Sequence, residues 1–316
     1  MKQHSNIGTI IRKEFARFFG DRALVFTAVI MPGLLIYLVY TLMGGFMDDQ
    51  YDETQAEQQE AKAAFVSPLT DSEEALRDSL NTVYYEAEAA YEAEQGDNDL
   101  QELGDVLGNL IPMLIIMLLF SGCMAVAPSA IAGEKERGTI ATLLVTPMKR
   151  HELAIGKIVS LSCFALLSGL SSFLGIILSL PKMIQGDDLS LPDNLYSGSD
   201  YLTILVLIIC TVLIIISGIS ILSAWAKDVK SAGTMVLPLM LFIMFAALTP
   251  MIGTPDNAAL YLIPVYNSAQ CMAAVFAFRL ELVPLLITVG SNLLYTGLAV
   301  FALAKMFNSE KVMFAK

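Results

Sequence analysis

Groups able to act as nucleophile, base or metal ligand are thinly spread in this 316-residue chain, whose only histidines are His4 and His151. His151-Glu152 starts as a zinc-protease helix does, where two histidines four residues apart hold the metal and the glutamate is the base, but position 155 is Ile155. Two histidines cannot build a His-based metal centre, and no Ser–His–acid set can be assembled around them. The phosphate cradle G-x-x-x-x-G-K-[ST] occurs nowhere in the chain, so no nucleotide site is visible. Cys123, Cys163 and Cys210 lie inside apolar runs and Cys271 in a connecting stretch; with no CxxC pair they read as buried free thiols. These residues do not support an enzyme.

One polar segment carries a denser pattern. From Ile131 it reads Ala132-Gly133-Glu134-Lys135-Glu136-Arg137-Gly138-Thr139-Ile140-Ala141-Thr142-Leu143-Leu144-Val145-Thr146-Pro147, and it continues through His151 and Glu152 to Lys157. The charged E-K-E-R patch leaves an apolar run, Gly138-Thr139 starts a short helix, and Thr146-Pro147 stops it. Ile140, Leu143 and Leu144 give that helix an apolar face with no obvious membrane to bury it. A stripe of this kind flanked by charges suits insertion into a groove on a soluble partner, or else an ordinary structured loop. Glu134 and Arg137 read as a solvent-exposed pair.

The elements that must position this segment are set by hydropathy. Mean hydropathy is +0.63, and charged residues make up 16% of the chain, well below the roughly one quarter usual in soluble domains. Six stretches, about 23–46, 107–132, 158–180, 201–224, 232–252 and 283–304, contain no Asp, Glu, Lys, Arg or His. Each has the roughly 20 residues needed to cross about 30 Å of hydrocarbon. Each should be helical, because backbone groups in lipid must be satisfied internally; the ten-residue alternation of a β-barrel is absent. The first follows a basic segment 1–22, exceeds a signal-peptide core and lacks an A-x-A site, so it reads as a retained signal-anchor helix.

Charge then orients the spans. With both termini in the cytoplasm, the inner segments 1–22, 133–157, 225–231 and 305–316 hold 15 of the 19 Lys and Arg, leaving Lys62, Arg77, Lys182 and Arg279 outside. The outer insert 47–106 holds 18 acidic residues against two basic ones. Thr70-Asp71-Ser72-Glu73 has capping-box spacing, Leu76, Leu80, Val83, Tyr84, Ala87 and Tyr91 recur at helical spacing, and Gly96 supplies a stop. With a weaker helix from about Glu53 to Ala64, the insert reads as a small acidic helical hairpin whose carboxylates form a solvated anionic face. Before the first span, Ile7, Ile10, Ile11, Phe15, Phe18 and Phe19 alternate with Arg12, Lys13 and Arg17. That pattern predicts a helix in the headgroup plane, aromatics down and cations toward anionic lipid, or else a cytosolic extension of the first span. The outer segment 253–282 holds apolar runs too short to span and predicts a re-entrant helical pair, or a short interfacial helix. The spans carry none of the carboxylates or histidines that ion-coupled carriers use as relays, so energy for transport has to come from elsewhere. Ser162, Ser168, Ser171 and Ser172 in the third span read as helix-packing positions, or else as groups lining a path.

The string E-K-E-R-G-T-I-A-T-L-L-V-T-P at 134–147, followed by E-L-A-I-G-K at 152–157, resembles the signature of type-2 ABC transporter permeases, the six-helix membrane subunits of ABC exporters. The resemblance extends over nearly the whole chain: the amphipathic elbow helix, the insert after the first span, the signature loop and the re-entrant pair before the last span. Within the family it is nearest to the sodium-efflux (NatB-like) permease group, although the insert is short for that group and nothing in the spans marks a sodium site. The resemblance implies an all-α membrane protein of six transmembrane helices in a bacterial plasma membrane. It places a coupling helix from about Glu136 through Val145, with Glu134 and Arg137 at its start. Glu134, Glu136, Arg137, Gly138, Thr139, Ile140, Leu143 and Leu144 would then touch the ATPase subunit. No cofactor is implied in this chain, ATP and Mg being held by the partner. The partners implied are an ABC ATP-binding subunit, a second permease copy or homologous permease, and membrane lipid, with no nucleic acid. The exported species would be sodium or another cation, a peptide, a drug or a lipid. The residues alone leave a rival open: a membrane scaffold or sensor whose acidic outer hairpin binds a cationic ligand without transport.

Overall fold

The computed structural model describes residues 7–42, 74–139, 150–184, 196–253 and 257–309, and among these it is helical with no strand. Helix α1 runs Ile7–Gly20. Asp21 then caps α2, Arg22–Leu42, by accepting the Ala23 and Leu24 N–H groups at 3.1 Å. Next come α3, Glu74–Glu136, α4, Arg150–Ile184, and α5, Gly198–Trp225. Helix α6, Val229–Leu248, is prolonged by a 3-10 turn to Ile252. Helix α7 is Tyr266–Phe276 and α8 is Leu282–Asn308. Six stretches are long and apolar enough to cross a membrane: Arg22–Leu42, Gly104–Glu136, Ile155–Ser179, Gly198–Trp225, Val229–Ile252 and Leu282–Phe307. The chain is a multi-pass membrane protein. Successive spans alternate direction, so the bundle has a basic end, carrying α1, the end of α3 and the α5–α6 turn, and an opposite, acidic end.

Helix α5 is the axis of the bundle, packed by α3, α4, α6 and α8. Two of its hydroxyls bond within the helix, Thr211 Oγ1 donating to the Leu207 carbonyl and Ser217 Oγ to the Leu213 carbonyl, each at 2.6 Å, while the buried Ser223 Oγ has no partner. Helix α8 lies at the rim, with Leu282, Val283, Leu286, Leu294, Leu298 and Phe301 largely exposed, as a helix facing lipid or another subunit would be. Close crossings use residues without bulk. A Cβ on Gly33 of α2 would overlap the backbone of Ser171 on α4, and one on Gly175 would overlap Gly33. Ser168 and Ser172 are buried on the same helix, Ser168 against Gly122 of α3.

Three expectations are corrected. Gly96 stops nothing: α3 is one 63-residue helix running through it into the second span. An isolated glycine costs about 1 kcal/mol in a helix, too little to break a long one. Pro112 and Pro128 also lie inside α3, as spanning helices tolerate. The other arm of the expected hairpin, 53–64, lies outside the described residues. The aromatics of α1 are not all turned down into lipid; Phe15, Phe18 and Phe19 pack on Phe164 of α4 with ring centres 5.0, 4.2 and 5.3 Å away, and of these only Phe19 remains half exposed. Cys271 is not in a loop but buried in α7.

Between α6 and α8, the acidic end holds a 3-10 turn, Ala258–Leu262, and the single α-helix α7. Nearly all of α7 is buried, and Asn267 Nδ2 donates to Ser291 Oγ at 3.0 Å and Asn292 Oδ1 at 3.1 Å on α8. Asn292 Nδ2 returns a bond to Ser268 Oγ at 2.9 Å. Burial pushes the Cys271 thiol up to about 11, with Thr288 Oγ1 3.1 Å from its sulfur.

Candidate functional site

The E-K-E-R patch closes the last turn of α3 at the basic end. Gly138 takes a left-handed conformation, φ 67°, that lets the chain leave the helix. The Gly138 N–H donates to the Lys135 carbonyl at 3.0 Å, and Thr139 Oγ1 donates to the Glu134 carbonyl at 3.2 Å. Carbonyls that a helix end leaves orphaned are thereby satisfied.

Glu134, Lys135 and Glu136 each reach other helices. Glu134 is 4% exposed and its Oε2 lies 2.6 Å from Lys157 Nζ on α4. Lys157 is 1% exposed; its ammonium also meets Glu14 Oε1 on α1 at 3.2 Å and donates to the Ala130 carbonyl at 2.8 Å. Lys157 thus donates two hydrogen bonds and stands in ion-pair contact with Glu134, so its buried charge is paired, whereas Glu134 Oε2 and Glu14 Oε2 accept no hydrogen bond. Arg17 on α1 completes a neutral quartet: Nη1 lies 3.8 Å from Glu14 and 3.9 Å from Glu134, and Nη2 donates to the Ser129 carbonyl at 2.8 Å.

Lys135 and Glu136 hold the turn between α5 and α6. Lys135 Nζ donates to the Ala224 carbonyl and, at 3.3 Å, to the Ala226 carbonyl, placing a cation on the C-terminal end of α5. Glu136 Oε2 accepts the Val229 N–H at 3.1 Å, placing an anion on the N-terminal end of α6. Both signs match the helix dipoles. Asp228 caps α6 from the other side, accepting the Ser231 N–H at 2.6 Å; that bond is the main reason its carboxyl sits below the usual value. Arg137 folds back, its Nε donating to the Gly133 carbonyl at 3.0 Å.

Glu134 is therefore not one half of an exposed pair with Arg137. It is buried, and its partners are Glu14's companion Lys157 and the more distant Arg17. The sequence reading had no means to single out Glu14 or Lys157, since pairing across 143 residues leaves no local periodicity. Of the residues expected to touch an ATPase subunit, Glu134, Glu136, Arg137, Gly138 and Thr139 gather here, whereas Ile140, Leu143 and Leu144 lie outside the described residues.

A family model described as ABC-2 family transporter protein matches residues 8–306. The chain belongs to the ABC-2 transporter family. It is 33% identical over 144 residues to the ABC transporter permease protein NatB of Bacillus subtilis (strain 168), a segment covering 44% of this chain and 37% of that protein. No solved structure matches the chain. As an ABC-2 permease it is a transport component, and the E-K-E-R patch of this permease is a clasp that joins the ends of five helices.

Proposed function

We propose that this ABC-2 permease is the transmembrane half of an ATP-driven exporter, with ATP hydrolysis in separate subunits that dock on the coupling helix from about Glu136 through Val145. The observation that carries this reading is the clasp at the base of that helix. A push on the link enters α3 through Glu134, Lys135 and Glu136, and these same side chains hold α1, α4, α5 and α6. Movement imposed there is transmitted to several spans together, because charge-assisted bonds and helix caps resist separation better than apolar contacts that can slide.

The excess of Lys and Arg at this end supports placing it, with both termini, in the cytoplasm of a bacterial cell. One six-helix half pairs with a second copy or a homologous permease about a two-fold axis, and substrate passes by alternating access. The 18 carboxylates of the outer insert favour cationic cargo, sodium or another cation or a basic peptide or drug, by raising its concentration near the membrane.

The test is association. Leu143→Asp with Leu144→Asp removes the apolar face of the coupling helix, and the co-expressed ATP-binding subunit should no longer co-purify while membrane insertion is unchanged. Wild-type recovery of the ATPase with that variant would place the docking site elsewhere.

A further inference from the structure

A cavity of about 450 Å³ opens at the basic end, beside the quartet. Its walls come from the α1–α2 corner (Arg17, Phe18, Asp21, Leu24), the end of α3 (Ser129, Gly133, Glu136, Arg137) and Val229 at the start of α6. Two guanidiniums and two carboxylates line it, yet they are not equivalent. Asp21 is engaged by two N–H groups of α2, and Glu136 by the first N–H of α6, so both acids neutralise the positive ends of helices. Arg17 Nη2 donates to the Ser129 carbonyl and its guanidinium also joins the long ion pairs of the quartet, whereas Arg137 Nε donates to the Gly133 carbonyl. Arg17 Nη1 is 3.8 Å or more from either carboxylate, beyond hydrogen-bond length. A guanidinium has five N–H donors, so both arginines retain donors for a further acceptor.

Phe18, Leu24 and Val229 make the rest of the wall apolar, and the spans that leave this cavity expose Phe26 and Ile30 on α2 and Met235 and Leu237 on α6. A ligand suited to this surface has a phosphate at one end and hydrocarbon at the other. We propose that the cavity holds the phosphate of an anionic membrane phospholipid between Arg17 and Arg137, with its acyl chains running along α2 and α6. The planar fork of arginine matches phosphate oxygens. The volume falls within the roughly 300–1,000 Å³ common for ligand sites. The lipid joins α1 to the E-K-E-R clasp, and its seat differs from the exposed cations of α1: Arg12 and Lys13 are exposed and do not line the cavity.

The test is lipid retention by the full chain, released from nanodiscs of mixed phosphatidylglycerol and phosphatidylcholine and weighed by native mass spectrometry. Wild type should keep phosphatidylglycerol in preference to phosphatidylcholine. Arg137→Gln, whose nearest bond is to its own helix, should lower that retention about tenfold, the loss expected for a charge-assisted contact. Arg17→Gln should do the same, but it also disturbs the quartet, so Arg137→Gln is the deciding variant. Arg12→Gln with Lys13→Gln should leave retention unchanged. The proposal is overturned if Arg137→Gln retains phosphatidylglycerol as wild type does, or if the α1 surface variant loses as much. It is overturned also if millimolar inorganic phosphate displaces the lipid completely, since the acyl chains would then contribute nothing.

Discussion

Glu134 and Lys157 face one another across 2.6 Å, both nearly free of solvent, at the two ends of the segment that connects the second and third spans. Their contact ties the end of α3 to α4, and Glu14 and Arg17 bring the N-terminal helix to the same point. Breaking one side of a buried pair strands its partner. Lys157→Met, which leaves Glu14 and Glu134 together in a dry site, should cost about 3–5 kcal/mol. Glu134→Leu combined with Lys157→Met should cost less than Lys157→Met alone, because Arg17 still balances Glu14. Thermal unfolding of the four species in detergent forms a double-mutant cycle. Additive losses would mean that the two residues are not coupled.

The turn between α5 and α6 separates the roles of Lys135 and Glu136. Each loss should cost about 0.5–2 kcal/mol, the range of helix caps and dipole partners. Hydrogen exchange distinguishes them. Glu136→Ala should expose the Val229 amide that its carboxylate accepts, whereas Lys135→Met should leave that amide protected and loosen the end of α5.

Asp228 makes the cap of α6 sensitive to acid. Its carboxyl lies below the ordinary value of 3.8, chiefly because the Ser231 N–H bonds the charged form. The stabilisation is therefore present above the unfolded carboxylate value and is lost as pH falls through the lower, folded one. Asp228→Asn keeps a capping oxygen without the charge. Melts of wild type and this variant should differ by a constant amount at pH 5 to 7, a window set by ordinary carboxylate titration, and converge in stronger acid. A gap that persists when the carboxyl is fully protonated would point to geometry rather than charge.

Gly33 and Gly175 test the crossing of α2 over α4. Gly33→Ala puts a methyl into the Ser171 backbone, and Gly175→Ala puts one into Gly33, so each should lower the melting temperature. Gly290→Ala on α8 meets nothing within 4 Å and should be neutral or slightly stabilising. Equal effects at all three positions would refute the close crossing.

Orientation follows from labelling. In a background lacking Cys123, Cys163, Cys210 and Cys271, Asp97→Cys should react with an impermeant maleimide on intact cells, and Thr146→Cys only after permeabilisation. Reaction of Thr146→Cys from outside would reverse the topology. The native Cys271 should label slowly even in detergent at neutral pH, because its thiol is buried and stays protonated up to about 11.

The six spans, the lone acidic insert and the special character of the 134–157 segment are legible in the sequence because each is a local property. Twenty uncharged residues in succession declare a span whatever surrounds them. The partners of that patch are not local. Glu134 reads from sequence as one more surface acid, and only the packing of α1 and α4 against α3 buries it with Lys157 and Glu14. Gly96 reads as a stop because glycine often is one, yet the flanking helix was long enough to carry it. Gly33 looks like any glycine in an apolar run until the crossing of α2 and α4 brings Ser171 and Gly175 against it. Hydropathy and charge act over a few residues and can be read along the chain. The desolvation of a charge, and the space a Cβ would need, depend on what other helices bring to the same point, and that is decided only when they pack.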